Sequence, residues 1–424
     1  MQRIDRQQLR APARVVDLEL SAPPGATEGA IDVSGYRSVW CLARRNGLPR
    51  SVSFWDVADY LTVHERDLVA GVTAPSGGTA PSDPDGLGTA GDGYGYGYDA
   101  GDDGVGLTVA ICTHERPADL GRALDSLAGQ HDRDFSTLVI DNAPRSRATA
   151  DVVTRSPLDR CDYLIEPQKG LSRARNTALA HVGTDLMAWM DDDEMADPDW
   201  IGRIKQGFRH PSGPVAVCGV MLPAELETDA QVLFEQYGGF NKGRGLDPEA
   251  LTTGSPTVVS PLYPLPAVGS GGNMAFRTAA LRGAGGFDPD LGAGTRTHGG
   301  EETKVFATLL RSGGTVLHWP AAITWHVHRR GMDELERQFY GYSAGLTAFY
   351  ASMIRSEPST VWEMARLVPH ALRDLGLRDG GIRSEEVPED FPAVLLAAGR
   401  RGLLTGAFHY VSESLRSRAG GWRV

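Results

Sequence analysis

From Leu107 onward, short and wholly apolar runs alternate with segments of helical periodicity, and few folds can absorb that pattern. "LTVAIC" is a strand candidate, and "RPADLGRALDSLAGQ" after it sets Leu120, Leu124 and Leu127 at helical spacing with Pro117 near the helix start. "STLVID" and the shorter "YLI" are the next strands, "SRARNTALAHV" a helix with Ser172 as its N-cap, and "LMAWM" a further strand. Strands that are apolar on both faces must be covered on both, so the expected fold is α/β, a parallel sheet with helices on either side. Ligands of such sheets sit outside the carboxyl ends of the strands. Here "LTVAIC" runs into "THERP", "STLVI" into "DNAP" and "LMAWM" into "DDDE", so three polar clusters should share one cleft.

The flanks read differently. Runs such as "RVVDLEL" and "RSVWCLARR", between Val15 and about Val69, surround the hairpin signal Asn46-Gly47, whose residues both tolerate positive φ, so residues 1–72 are expected to form a small β-rich domain. Residues 73–106 are Gly, Pro, Ser and Asp with almost no aliphatic side chains, the composition of a flexible linker; its "GYGYGYD" tract reads as spacer rather than as a stacking platform. The α/β unit then occupies 107–332. Beyond it, Leu335, Phe339, Leu346, Phe349 and Met353 recur at near-helical intervals, so residues 333–424 are expected to be a helical region packed on or beside the sheet.

A chain of 424 residues suits two or three domains. Its formal net charge of −12 argues against a nucleic-acid binder, which needs a basic face to displace counterions. The cysteines, Cys41, Cys112, Cys161 and Cys218, are scattered without metal-ligand spacing, which fits a reduced cytoplasmic setting. The N-terminus has no apolar core of signal-peptide length, and "FPAVLLAAGRRGLLTGAF" is broken by Arg400 and Arg401, so no spanning segment is expected.

The run Asp191, Asp192, Asp193 is the sharpest chemical signal. Two carboxylates 4 Å apart repel by roughly 1 kcal/mol in water and about 4 kcal/mol at the effective dielectric of a protein surface, so a cation is expected among them. In an extended chain Asp191 and Asp193 share a face and could converge on Mg²⁺ or Mn²⁺, which takes one or two protein carboxylates and completes its shell with water and phosphate oxygens. The plain alternative is a solvated acidic loop with Asp197 and Asp199 capping the next helix.

Taken together, "LTVAICTHERP", "VIDNAP", "KGLSRARNTAL", "MDDDE", "GSGGNMAFR" and "GGEETKVFATLLRSG" resemble family 2 glycosyltransferases, inverting enzymes of the GT-A fold, over roughly Leu107 to Arg330. The resemblance implies a nucleotide-diphospho-sugar donor, most often a UDP-sugar, a divalent metal, and single displacement at the anomeric carbon. By position it implies Thr113, Glu115 and Arg116 under the nucleotide and Asp141 at the base. Lys169, Arg175 and Asn176 would border base and ribose, Asp192 would lie near the donor ribose or sugar, and Asp191 and Asp193 would hold the metal.

Such enzymes usually take their general base from an Asp in a Glu-Asp pair opening a helix. Here the pair is Glu301-Glu302, so Glu302 stands at the base position with Glu301 as the alternative; the plain reading of both is complementation of the helix dipole. His326 and His328 in "TWHVHRR" have the period-2 spacing that lets both face a cleft, and His326 is the stronger candidate to complete a metal shell. "GSGGN" offers backbone room for a sugar, with Asn273 as a hydrogen-bonding side chain, and Gly292 to Gly300 reads as a lid.

Two rivals stay open. A sugar nucleotidyltransferase would want a Gly-rich, basic phosphate loop after the first strand, which "THERP" lacks; a non-catalytic sugar-nucleotide binding protein would follow if the Glu-Glu departure meant a lost base. The acceptor could be a glycan, a lipid-linked glycan or a small molecule. The basic tail "SLRSRAGGWRV" permits weak attachment at the inner membrane face, though a packing helix with a solvated tail is the plainer reading.

Overall fold

The computed structural model describes residues 1–21, 29–73, 104–242, 244–258, 260–263, 269–377, 388 and 390–419. The linker expected at 73–106 and the end of the basic tail lie mostly outside them.

In the N-terminal part, β1 (Gln2–Ile4), β2 (Ala13–Glu19), β4 (Ser38–Arg45) and β5 (Leu48–Asp56) form a sheet in the order β1-β5-β4-β2, while β3 (Ala30–Asp32) pairs with β6 (Thr62–His64) ahead of α1 (Glu65–Thr73). Asn46 and Gly47 take positive φ of 54° and 72°, so the expected two-residue turn joins β4 to β5. Strand β4 is apolar on both faces because it has two cores to fill. Val39, Cys41 and Ala43 pack within the N-terminal sheet's own core. Trp40 and Leu42 face the other way, onto Val220, Leu222, Val232 and Ile323 of the central part.

Among the described residues the central sheet has nine strands. Its first half is built from β7 (Leu107–Thr113), α2 (Pro117–Ala128), β8 (Ser136–Asn142), α3 (Ala148–Thr154), β9 (Cys161–Glu166), α4 (Leu171–His181) and β10 (Leu186–Trp189). These four strands are parallel, in the order β10-β7-β8-β9. The second half comprises β11 (Glu194–Ala196), α5 (Trp200–Phe208), β12 (Ala216–Pro223), α6 (Asp229–Gln236), β13 (Glu249–Leu251), β14 (Met274–Arg277), α7 (Thr278–Gly283), α8 (Glu301–Arg311) and β15 (Val316–His326). It adds antiparallel strands to the expected parallel ones: β14 lies antiparallel between β10 and β12, and β11 and β13 lie antiparallel on β15. A parallel neighbour needs a long crossover, and strand-helix alternation supplies one only as far as β10.

Helices cover both faces as the apolar strands require. Leu120, Leu124 and Leu127 of α2 and Ile201, Ile204 and Phe208 of α5 meet Val109 and Ile111 on one side. Ala174 and Ala178 of α4 and Val305, Phe306 and Leu310 of α8 meet Ala110, Met187 and Trp189 on the other. Ser172 is not the cap of α4: Gly170 turns the chain at φ 142°, and the Ser172 hydroxyl donates to the Leu291 carbonyl. The C-terminal helices are α9 (Met332–Ser356), α10 (Thr360–Leu377) and α11 (Ala393–Ala419). Helix α9 packs closely on the start of α8, where a Cβ on Gly345 would come within 3.1 Å of the Gly300 nitrogen.

Candidate active site

The carboxyl ends of β10, β7 and β8 lie side by side, Trp189 opposite Ala110 and Thr113 opposite Asp141. Thr113, the last residue of β7, donates its hydroxyl to Asp192 Oδ2 at 2.7 Å. Arg116, at the N-terminus of α2, donates through one nitrogen to Asp192 Oδ1 at 2.7 Å and to Asp193 Oδ2 at 3.0 Å, and through Nε to Asp119 at 2.9 Å. Arg329 approaches Asp193 to 3.4 Å. The acidic triplet is therefore neutralised in part by arginines that flank it in space.

The triplet is not extended. Residues 192 and 193 form a turn in which the Glu194 N–H reaches back to the Asp191 carbonyl at 3.3 Å, so the expected convergence of Asp191 with Asp193 gives way to a pairing of Asp192 with Asp193 on Arg116. Asp192 is buried, and burial, opposed by Arg116, pushes its carboxyl up to about 7. Burial acts on Asp193 too, but His326, Arg116 and Arg329 overcome it and hold that carboxyl well below the usual range. Asp191 keeps a side chain 40% exposed and lies 3.7 Å from Arg175.

Arg175 is a brace. Almost wholly buried, it donates to Glu301 Oε1 at 3.0 Å and to the Gly271 carbonyl at 2.9 Å, tying α4, α8 and the Gly269–Gly272 loop beneath the cleft. The loop needs glycine because a Cβ on Gly272 would strike the Glu194 carboxylate and one on Gly271 would crowd Arg175 and Glu302. Backbone room at this loop is thus taken by the protein's own charged side chains. Glu301 is buried, and burial together with neighbouring Glu302 pushes it up to about 8 against the pull of Arg175. Glu302 is half-buried beside Gly271 and, among the described residues, makes no hydrogen bond or ion pair.

Several expected contacts fall elsewhere. Asn273 is fully buried and spends every polar atom on the scaffold, accepting from Trp200 Nε1 at 2.9 Å and donating to the carbonyls of Val220 and Ala322 at 2.9 and 3.0 Å; it does not face the cleft. Asn176 both donates to and accepts from the Phe287 backbone, at 2.7 and 2.9 Å, which fixes α4 against the 287 loop. Asp141 closes the end of β8, accepting from the Tyr163 hydroxyl at 2.8 Å while Oδ1 has no partner, and burial raises its carboxyl above the usual range. Glu115 is exposed at φ 54° and accepts from the Arg145 N–H at 2.7 Å; Lys169 is exposed beside Gly294. The segment expected to be a lid is tied to α4 through the Leu171 N–H to the Ala293 carbonyl, at 2.9 Å.

Among the described residues, no three of His, Cys, Asp and Glu are gathered as a metal cage. What does fit a divalent ion is a pair: His326 Nε2 and Asp193 Oδ1 face each other at 3.6 Å, too far for a hydrogen bond. Burial lowers the His326 pKa, favouring a neutral imidazole. One carboxylate and one imidazole, with water and diphosphate oxygens, suit Mn²⁺ or Mg²⁺. His328 does not reach the crevice; its ring bonds His326 and Glu235.

Sequence reasoning passed over Arg329, Glu194 and Glu235. Arg329 carried a signal, being one residue past the His pair. Glu194, buried beside Thr324 with neither carboxylate oxygen in a hydrogen bond of ordinary geometry, is raised by burial and then by Asp191, and only its place after the triplet marked it. Glu235 comes from a distant helix and had no local mark.

A parallel half-sheet that carries an acidic turn after β10 is the arrangement expected of a GT-A-like α/β fold. Residues 108–281 match the family model described as Glycosyl transferase family 2. Among curated relatives, the pre-mycofactocin glycosyltransferase of Mycobacterium tuberculosis (strain H37Rv) is 26% identical over 243 residues, 56% of this chain and 46% of that protein. The succinoglycan biosynthesis protein ExoM of Rhizobium meliloti is 33% identical over 118 residues, 27% of this chain and 38% of ExoM. The chain thus spans less than half the length of either relative. Among solved structures, the mannosyltransferase PcManGT of Pyrobaculum calidifontis, in complex with GDP-Man and Mn²⁺, aligns over 74% of this chain and 75% of its own at 19% identity and a TM-score of 0.43. GalNAc-T7 with UDP, GalNAc and Mn²⁺ aligns over 60% of this chain and 51% of its own at 15% identity and a TM-score of 0.40.

Proposed function

We propose that this protein is an inverting glycosyltransferase that moves a sugar from a nucleotide-diphospho-sugar, with a UDP-sugar the first to test, to an acceptor hydroxyl. The observation that carries the reading is a division of labour among carboxylates at the ends of these strands and helices: Asp192 and Asp193 are gripped by arginine, Glu301 is locked to Arg175, Glu194 is buried, and Glu302 is, among the described residues, both unpaired and partly accessible. A base must reach an acceptor proton, and a carboxylate already committed to a guanidinium cannot. Glu302 accordingly takes the proton from the acceptor oxygen as that oxygen attacks the anomeric carbon from the face opposite the nucleotide. The bond from the anomeric carbon to the diphosphate oxygen breaks, and its electron pair stays on the departing diphosphate beside Arg116 and Arg329. Asp193 and His326 would hold a divalent ion, whose chemistry when bound is Lewis-acid stabilisation of that leaving group.

In this reading residues 107–332 are the transferase domain, 1–72 and 333–424 flank it, and 73–106 join the first two. Among the described residues no helix is long and apolar enough to cross a membrane. The exposed stripe Leu404, Phe408, Val411 and Leu415 on α11, bordered by exposed Arg400, Arg401, Arg416 and Arg418, supports weak docking on an anionic membrane face. The test of the reaction is nucleoside diphosphate release from a panel of nucleotide sugars with Mn²⁺ or Mg²⁺, with anomeric configuration read in the product. A retained configuration, or a glycosylated enzyme, would overturn the inverting mechanism.

A further inference from the structure

The N-terminal sheet reaches the crevice through an unbroken line of buried polar groups. Trp40, in the middle of β4, donates its indole N–H to Glu235 Oε2 at 3.1 Å. The other oxygen of Glu235, on α6, meets His328 Nε2 at 3.1 Å. His328 Nδ1 meets His326 Nδ1 at 2.9 Å, and His326 Nε2 faces Asp193 Oδ1 at 3.6 Å. Every member is buried. Phe234 and Phe240 pack their rings against the imidazoles at centroid distances of 4.7 to 5.6 Å, so neither histidine can turn freely.

Donor and acceptor chemistry gives this line a direction. An indole only donates and a carboxylate only accepts, so Glu235 accepts one hydrogen bond from Trp40 and one from His328 Nε2. A neutral His328 protonated at Nε2 can only accept at Nδ1, so the proton between the two rings belongs to His326 Nδ1. His326 Nε2 is then left with a lone pair aimed at a carboxylate oxygen. Two acceptors facing across 3.6 Å, with each ring fixed from behind, form a seat for a cation.

We propose that the N-terminal sheet, through Trp40, Glu235 and His328, is the positioning shell that fixes the tautomer of His326 and so makes it a metal ligand beside Asp193. This rests on the metal reading above. It assigns the N-terminal region a part in the transferase reaction: β4 carries Trp40 on the face that packs onto β12, β15 and α6, and the same face anchors α6 where the Gln236 side chain donates to the carbonyls of Gln7 and Leu9, each at 2.9 Å. Outer partners of metal-bound histidine typically change metal affinity by about 10- to 100-fold when replaced.

The test uses the full chain and two variants. Glu235→Gln keeps the shape but offers an NH₂ to either His328 or Trp40; turned to His328 it reverses both tautomers and puts a proton on His326 Nε2. Trp40→Phe keeps the ring packing and removes one donor. Mn²⁺ affinity is read from loss of the free-ion electron paramagnetic resonance signal, with and without UDP or GDP, and imidazole tautomers from two-dimensional ¹H–¹⁵N spectra of the metal-free protein. Expected are a His326 protonated at Nδ1 in the parent, Mn²⁺ binding weakened about 10- to 100-fold in Glu235→Gln, and several-fold weakening in folded Trp40→Phe, whose thermal stability should also fall because a buried Glu235 oxygen loses its donor. Folded variants that bind Mn²⁺ as the parent does, or a parent His326 protonated at Nε2, would overturn the relay and leave the metal reading standing. A parent that binds no Mn²⁺ even with UDP or GDP would overturn both.

Discussion

The two sides of the crevice are built on opposite plans. On the strand side, Asp192 and Asp193 are buried, gripped by Arg116 and Thr113, and backed by two histidines, a glutamate and a tryptophan from another sheet. On the helix side, Glu302 opens α8 with no hydrogen bond or ion pair among the described residues, while its neighbour Glu301 is consumed by Arg175. Charge that must be held is over-determined, and charge that must meet a changing partner is left free. In the proposed reaction the contrast separates leaving-group chemistry from proton transfer, and each side can be broken on its own.

The largest effect should come from the free carboxylate. Glu302→Gln is expected to lower the turnover number about 10²- to 10⁴-fold with donor affinity nearly unchanged, measured by steady-state kinetics and by calorimetric titration of the donor. Glu301→Gln should instead disturb the Arg175 brace and show itself first as lost thermal stability. If the two variants exchanged these signatures, Glu301 would be the base.

Next comes the scaffold. Asn273→Ala strands the Trp200 N–H and two carbonyls inside the core, and unpaired buried polar groups cost about 1 to 3 kcal/mol each, so chemical denaturation should report a loss of at least about 2 kcal/mol. A stable variant with weakened donor binding would restore Asn273 to the cleft.

A smaller effect concerns pH. The carboxyls of Asp192 and Glu301 titrate at about 7 and about 8 in the folded protein, against about 4 when exposed. The folded state therefore keeps protons that the unfolded chain has released, so these two groups favour the folded state most below about pH 4 and progressively less as pH rises to about 8. Asp193 is shifted downward and works in the opposite direction, below that window. In metal-free protein the melting temperature should fall between pH 5.5 and 8, and Glu301→Gln should flatten that slope. A slope unchanged in Glu301→Gln would mean that Arg175 keeps Glu301 ionised throughout.

The smallest effect lies farthest from the chemistry. Phe408→Asp on α11 should reduce sedimentation with phosphatidylglycerol vesicles while leaving donor hydrolysis unchanged. Equal binding of the parent to neutral phosphatidylcholine vesicles would remove the electrostatic part of the docking proposal.

The same contrast sorts what could be read from the amino acids alone. Contiguous signals were legible: the apolar strands ending in "THERP", "DNAP" and "DDDE", the Asn46-Gly47 hairpin and the helical C-terminal region all appear as expected, because each is dictated within a dozen residues. Strand direction beyond β10 was not, since β14 is placed by the sheet edges it finds and not by its own pattern. Nor was the turn at Asp192-Asp193, which replaces an extended stretch because Arg116 can grip both carboxylates only when they lie together. Asn273 and Asn176 looked like ligand contacts because a polar side chain in a glycine-rich or basic motif carries no mark of whether its partner is a sugar or a distant backbone. Glu235 and Trp40 were invisible for a related reason: 195 positions separate them, and only packing of two sheets brings them together.

The proposed transfer depends on Glu302 as the free carboxylate that takes the acceptor proton. The most direct measurement is release of nucleoside diphosphate from a nucleotide-sugar panel in Mn²⁺ or Mg²⁺, run on the parent, Asp193→Ala and Glu302→Gln with donor binding followed in parallel. Metal-dependent release from one donor, lost in both variants while Glu302→Gln still binds that donor, is the predicted result. A parent that binds donors but turns none over with acceptor extracts, or a Glu302→Gln variant as active as the parent, would contradict it.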